Sequence, residues 1–191
     1  MRYVMTPVVS VFAFMASLSA GASPQTYQIV PAHVGVLFAI DHLGFSLQHG
    51  SFRAVAGTLS FDADHPEASQ VSISIKTDSI DTAHAQRDAD LKSEGFLDAV
   101  KYPEIEFTST AITTTGPNTF KVVGNLKLHG VTLPIELQAK LNGVGKNPFD
   151  NKPTIGFSVS GSLKRSDFGV SRLMPAVGDL VTITIDAEFN Q

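Results

Sequence analysis

Val131-Thr132-Leu133-Pro134-Ile135-Glu136-Leu137-Gln138-Ala139-Lys140-Leu141 places an apolar residue at every odd position. Side chains alternate between the two faces of an extended chain, so this period of two makes a strand with one apolar face. The same pattern recurs on both sides of it. Val71, Ile73 and Ile75 interleave with Ser72, Ser74 and Lys76, and Val181, Ile183, Ile185, Ala187 and Phe189 interleave with Thr182, Thr184, Asp186, Glu188 and Asn190. Long one-faced strands that follow one another to the C-terminus hide their apolar faces in a sandwich or a closed barrel.

Turn residues divide the chain into units of strand length. Gly44, Gly116-Pro117-Asn118 and Lys146-Asn147-Pro148 punctuate it, and His129-Gly130 between two alternating runs predicts a tight hairpin. Strands are expected at Tyr27–Val30 and, after Pro31, along Val34, Val36, Phe38 and Ile40. The apolar parity changes between Phe52 and Val55, which predicts a bulge. Alternation stops from Asp81 to Phe96. Ala83, Ala85, Ala89 and Leu91 among charged residues favour a helix there, with Asp81 or Thr82 as its cap and Gly95 near its end. The expected fold is all-β: an antiparallel, lipocalin-like barrel of about eight strands with a short helical insertion.

The first 22 residues are set apart as a targeting segment. Arg2 precedes an apolar run through Val8, Phe12, Phe14 and Met15, and Ala20-Gly21-Ala22 supplies the small residues of a cleavage site. Residues 1–22 are therefore expected to be a cleaved secretory signal peptide and 23–191 a single domain. No later segment approaches the roughly 20 apolar residues of a spanning helix. There is no cysteine, hence no disulfide, thiolate nucleophile or lipid-anchoring cysteine. The formal charge is −4, or −5 without Arg2, and offers no basic field to nucleic acid or anionic lipid. Export without disulfides points to the periplasm.

Ordered motifs then carry a resemblance. Pro31-Ala32-His33, Asp41-His42-Leu43-Gly44-Phe45-Ser46, Gly57-Thr58-Leu59-Ser60-Phe61-Asp62 and Ser79-Ile80-Asp81-Thr82 come first. Arg87-Asp88-Ala89-Asp90-Leu91, Phe96-Leu97-Asp98, Lys101-Tyr102-Pro103-Glu104-Ile105-Glu106-Phe107-Thr108-Ser109, His129-Gly130-Val131-Thr132 and Arg165-Ser166-Asp167-Phe168-Gly169 follow. In this order they resemble the YceI-like family of periplasmic polyisoprenoid-binding proteins over essentially the whole chain after residue 22. The chain departs from the family pattern at Val30 and Val34, where Asp and Ser are frequent, and near His49 and Ser51, where Arg is frequent.

The resemblance implies a hollow barrel holding an isoprenoid tail, of a quinone or a polyprenyl phosphate, with no cofactor and no covalent catalysis. Alternation alone leaves a filled lumen equally open. If the apolar faces point inward, Phe38, Ile40, Phe52, Ile73, Ile75, Phe107, Leu126, Ile135, Leu137, Phe157, Val159 and Ile183 are the candidate tail contacts. Phe45 is a further candidate ligand contact, and His42, Arg87, Arg165 and Asp167 are candidates nearer a head group. His42 shares the parity of Phe38 and Ile40, which would bring it to a polar head at the barrel mouth, although a structural hydrogen bond at the strand end is the simpler expectation. A guanidinium fork suits phosphate or quinone oxygen, although Arg87 with Asp88 and Arg165 with Asp167 are more simply expected to pair and pin helix and loop to the barrel.

The remaining histidines form no metal-binding spacing, and His65 and His129 are expected at the surface. Asp167-Phe168-Gly169 lacks the companions of a kinase, and Gly156-Phe157-Ser158-Val159-Ser160 lacks the closing glycine of a nucleophile elbow. The partner expected is therefore a long-chain isoprenoid lipid. A homodimer is possible, and a solid structural barrel or an enzyme acting on the lipid head are the alternatives.

Overall fold

The computed structural model describes residues 24–191. The expected signal peptide lies outside the described residues. Ten strands form one antiparallel sheet: β1 (Gln25–His42), β2 (Ser46–Phe52), β3 (Val55–Phe61), β4 (Gln70–Lys76), β5 (Ile80–Asp81), β6 (Glu104–Gly116), β7 (Thr119–Leu128), β8 (Val131–Lys146), β9 (Pro153–Lys164) and β10 (Val177–Asn190). β10 pairs with β1, Phe38 facing Ile183 and Val36 facing Ile185, and this closes the sheet on itself.

The ten segments make an eight-strand barrel because two of its strands are broken. β2 and β3 are one strand bent at Arg53-Ala54, at the place of the parity change. β2 pairs with the second half of β1 and β3 with the first, two residues out of register with one another. β4 and β5 are related in the same way, pairing with β3 and β2 respectively. The first strand is longer than expected. It runs unbroken through Pro31, where the pairing with β10 slips between Ile29 and Val34, because proline has no N–H to give the ladder.

Turn chemistry sets the registers. His129 and Gly130 both take positive φ, 51° and 79°, between Leu128 and Val131. That is the two-residue turn whose twist matches the flanking strands. Leu43 and Gly44 are also left-handed, and Asn118 adopts φ 61° after Pro117. On the outer wall, cross-strand pairs Lys76–Glu104 and Lys127–Glu106, the latter at 2.7 Å, oppose charges in register. Each is exposed, so solvent screens the pair and it adds little to stability.

The helix α1 (Ala85–Lys92) is shorter than the 81–96 interval, and its cap is His84, whose Nδ1 accepts the Arg87 backbone N–H at 3.2 Å. Asp81 is instead engaged by Arg53 and the Ala83 N–H. Thr82 donates both its N–H and its hydroxyl to Asp88. The helix buries no residue of its own. Its position comes from these hydrogen bonds rather than from an apolar stripe, and it ends at Ser93, not at Gly95.

The meander gives the barrel two ends. One carries the β1–β2 turn, the segment 82–103 with α1, the β7–β8 hairpin and the 165–176 connection; the other carries both described termini and the 62–69, 117–118 and 147–152 links. The second end is closed by packing. Phe61, Phe157 and Phe189 meet edge to face at 6.1 and 6.5 Å, and Ile155 beside them is fully buried.

Candidate functional site: an apolar lumen with one polar end

The barrel is hollow. A cavity of about 590 Å³ runs inside it, within the range of roughly 300–1,000 Å³ usual for ligand sites. Glycines explain how inward-facing residues as large as phenylalanine leave this room. A Cβ on Gly50 would lie 2.2 Å from the Phe38 ring, one on Gly57 2.5 Å from Ile73 Cδ1, one on Gly124 2.4 Å from the Phe107 ring, and one on Gly161 2.5 Å from Leu137 Cδ2. Each large side chain lies flat over a bare neighbouring strand, an arrangement known for aromatics over sheet glycines. The wall is therefore thin where four large side chains could otherwise have met in the centre.

The four glycines differ in what constrains them, and this yields an expected contrast. Every close neighbour of a Cβ at Gly50 belongs to the Phe38 ring, which can swing into the lumen, whereas at Gly124 the Thr108 carbonyl oxygen also stands 2.6 Å away. Gly50→Ala should keep the fold and reduce the volume available to an apolar dye. Gly124→Ala should lower stability by about 1–3 kcal/mol, as overpacking does. Dye titration and urea unfolding of both proteins check this.

Fifteen of the seventeen candidate residues line the cavity: Phe38, Ile40, His42, Phe52, Ile73, Ile75, Arg87, Phe107, Leu126, Ile135, Leu137, Phe157, Val159, Arg165 and Ile183. Two do not. Phe45 sits at the β1–β2 turn with 88 % of its surface exposed, because the three-residue turn after His42 breaks the parity that carries Phe38 and Ile40 inward. Asp167 is exposed on the short helical turn 165–168, whose curl buries Arg165 and Phe168 instead.

The lumen's polar groups are gathered at the helical end. Gln48, His42, His49, Thr82, Arg87, Asp90, Ser93, Arg165 and Arg172 line it there, and Ser69, holding the Asp62 N–H, is the polar residue at the other end. Gln48 could have been found from its shared parity with Phe52. Arg172, Leu173, Phe96 and Leu97 could not, since they come from connections with no periodicity.

The two sequence-nominated arginines are not ion-paired with their neighbouring aspartates. Arg87 donates Nε to Thr82 Oγ1 (2.7 Å), Nη1 to Gln48 Oε1 (2.8 Å) and Nη2 to the Thr82 carbonyl (2.8 Å). It thereby ties the start of the helical segment to β2 with neutral partners only. Arg165 is buried and donates to the carbonyls of Val170, Arg172, Val177 and Gly178 at 2.8–2.9 Å. Burial lowers its pKa from the ordinary value, opposed by the field of Asp179. Asp179, held by the Ser166 N–H and hydroxyl, is an acid kept below its usual range by those bonds and by Arg165 and Lys164. Both motifs pin connections to the barrel, through backbone carbonyls and hydroxyls rather than through paired charges.

His129 packs its ring 4.6 Å from Tyr102 and sets Nδ1 3.2 Å from the Phe168 carbonyl. It is thus a half-buried joint between the hairpin and the 165–168 turn rather than a surface residue. His65 is exposed beside Asp62. Among the described residues no three His, Asp or Glu side chains gather to hold a metal ion, and no helix is long and apolar enough to cross a membrane.

The architecture has known counterparts. The family model described as YceI-like domain matches residues 27–189. This chain belongs to the YceI-like family. A UPF0312 protein of Pseudomonas savastanoi pv. phaseolicola is 45 % identical over 158 residues, covering 81 % of this chain and 82 % of the relative. One from Azotobacter vinelandii is 41 % identical over 156 residues, covering 82 % and 81 %. The crystal structure of a Campylobacter jejuni YceI protein superposes with a TM-score of 0.71 at 33 % identity, over 80 % of this chain and 90 % of that one. Two more distant structures share the YceI-like fold. Burkholderia cenocepacia BcnA has a TM-score of 0.76 at 21 % identity, over 84 % and 98 % of the two chains. A polyisoprenoid binding domain from Saccharophagus degradans has 0.64 at 13 %, over 87 % and 98 %.

Proposed function

We propose that this YceI-like protein is exported to the periplasm and carries or sequesters a polyisoprenoid, of the quinone or polyprenyl phosphate class, without covalent chemistry. The observation that carries the proposal is the polarity of the lumen. Its walls are apolar along the barrel and its polar groups converge at one end, which suits a ligand with a long tail and a small polar head. Ten carbons of tail removed from water contribute on the order of 8 kcal/mol before the entropy of association is subtracted. The Saccharophagus degradans fold neighbour, described as a polyisoprenoid binding domain, supports the same ligand class. The basic start, apolar run and small residues of the first 22 positions support export.

Native mass spectrometry of the protein expressed with its own leader, with organic extraction of what is released, tests this. A stoichiometric isoprenoid and an N-terminus near Ser23 are expected. An apo mass that stays unchanged after incubation with quinones and polyprenyl phosphates would remove the carrier function.

A further inference from the structure

Among the described residues ten large apolar side chains are exposed, and their placement is uneven. Six of them, Leu43, Phe45, Leu47, Val100, Leu173 and Met174, stand at the helical end of the barrel, where the lumen's polar groups also lie. The β1–β2 turn and the 165–176 connection that bear four of them are joined, the Leu43 N–H donating to the Ala176 carbonyl at 2.8 Å. Leu173 belongs both to this rim and to the cavity lining, so the exposed apolar surface is continuous with the lumen.

Charge at this end has a matching character. The wall lysines Lys76, Lys121 and Lys127 are each paired with a glutamate. Arg172, by contrast, has no carboxylate within ion-pair distance among the described residues and lies exposed over the Phe96 ring, 5.4 Å from its centre. Asp90 is the acid that shares the lining with it.

We propose that the helical end docks on the surface of a phospholipid bilayer. Phe45 and its apolar neighbours enter the hydrocarbon boundary, and the exposed Arg172 lies among headgroup phosphates. The chemistry requires some such contact if the lumen carries a bilayer lipid, and to that extent the proposal rests on the carrier function. A tail crossing open water would expose the apolar area that the lumen later covers, whereas a rim seated in the interface lets it pass from one apolar phase to another.

Flotation with vesicles of phosphatidylethanolamine and phosphatidylglycerol tests the docking, using residues 23–191, which contain every strand of the barrel. The parent should float with the vesicles. Phe45→Ser combined with Leu47→Ser should bind them at least about tenfold more weakly. Neither side chain lines the cavity, so this protein should still take up isoprenoid delivered in detergent and should take it up more slowly from vesicles. Phe149→Ser, at a 96 % exposed position on the opposite end, should float like the parent.

Failure of the parent to float while it loads lipid from detergent overturns docking alone. Equal flotation of the parent and the double variant overturns it too. So does a solution dimer that fails to float and that the double variant dissociates, which would assign the rim to a second copy of the chain. Rim-dependent flotation of a protein that never holds isoprenoid would support docking and remove the carrier function.

Discussion

A protein carrying Val159→Phe and Ile183→Phe should keep its fold and lose isoprenoid affinity by at least a factor of about a hundred. Both residues line the cavity from adjacent strands, Ile183 directly opposite Gly161. Two extra rings occupy the space of several tail carbons, and expelling four methylenes forfeits about 3 kcal/mol. The informative half of the result is stability. In a packed core such enlargements cost about 1–3 kcal/mol. In a lumen kept open by glycines the rings have somewhere to go, so the melting temperature should shift by no more than about 4 °C. Lipid titration beside thermal unfolding reads both. A large loss of stability would mean that the space is not available in solution.

Arg165→Ala should be the most damaging single substitution in the loops, lowering stability by about 3–5 kcal/mol in urea unfolding. The guanidinium satisfies four carbonyls of the 170–178 segment, those of Val170, Arg172, Val177 and Gly178. Truncation leaves these oxygens without their donor, and each buried one that water cannot reach costs about 1–3 kcal/mol. Arg165→Lys should recover only part of the loss, because three donors on one nitrogen cannot span four carbonyls set around a planar fork. The same segment places Arg172, Leu173 and Val177 at the lumen, so the variant should also weaken lipid retention. Arg87→Ala should be milder, since its partners are Thr82 and Gln48 and the site is only part-buried.

These two expectations differ in how far the sequence led to them. Val159 and Ile183 were identifiable from alternation, which assigns a face without knowing the partner strands, and the same rule found eleven further lining residues. Alternation does not extend to Phe45, because a left-handed Leu43-Gly44 turn ends the strand and resets the side-chain direction. Asp167, nominated with Arg165 from a loop motif, stands outside the lining because the turn 165–168 has a period near three, so that Arg165 and Phe168 share the inner side. Arg87 and Arg165 do pin helix and loop to the barrel, but their partners were misread. Adjacent opposite charges suggest ion pairs, yet the carbonyls that these arginines satisfy become orphans only when a connection is folded into an irregular shape.

By itself the sequence determined the local order of this protein. It fixed which segments extend, which face of each is apolar, where the chain reverses and that the strands need a closed or doubled sheet, because these follow from side-chain period and backbone preferences within a few residues. Only the tertiary structure decided that the lumen is hollow. That depends on Gly50, Gly57, Gly124 and Gly161 lying beneath particular large residues on neighbouring strands, a coincidence of register across the sheet. It also decided that the polar groups and the exposed apolar side chains share one end of the barrel. They come from segments more than a hundred residues apart, and closure of β10 onto β1 is what brings them together.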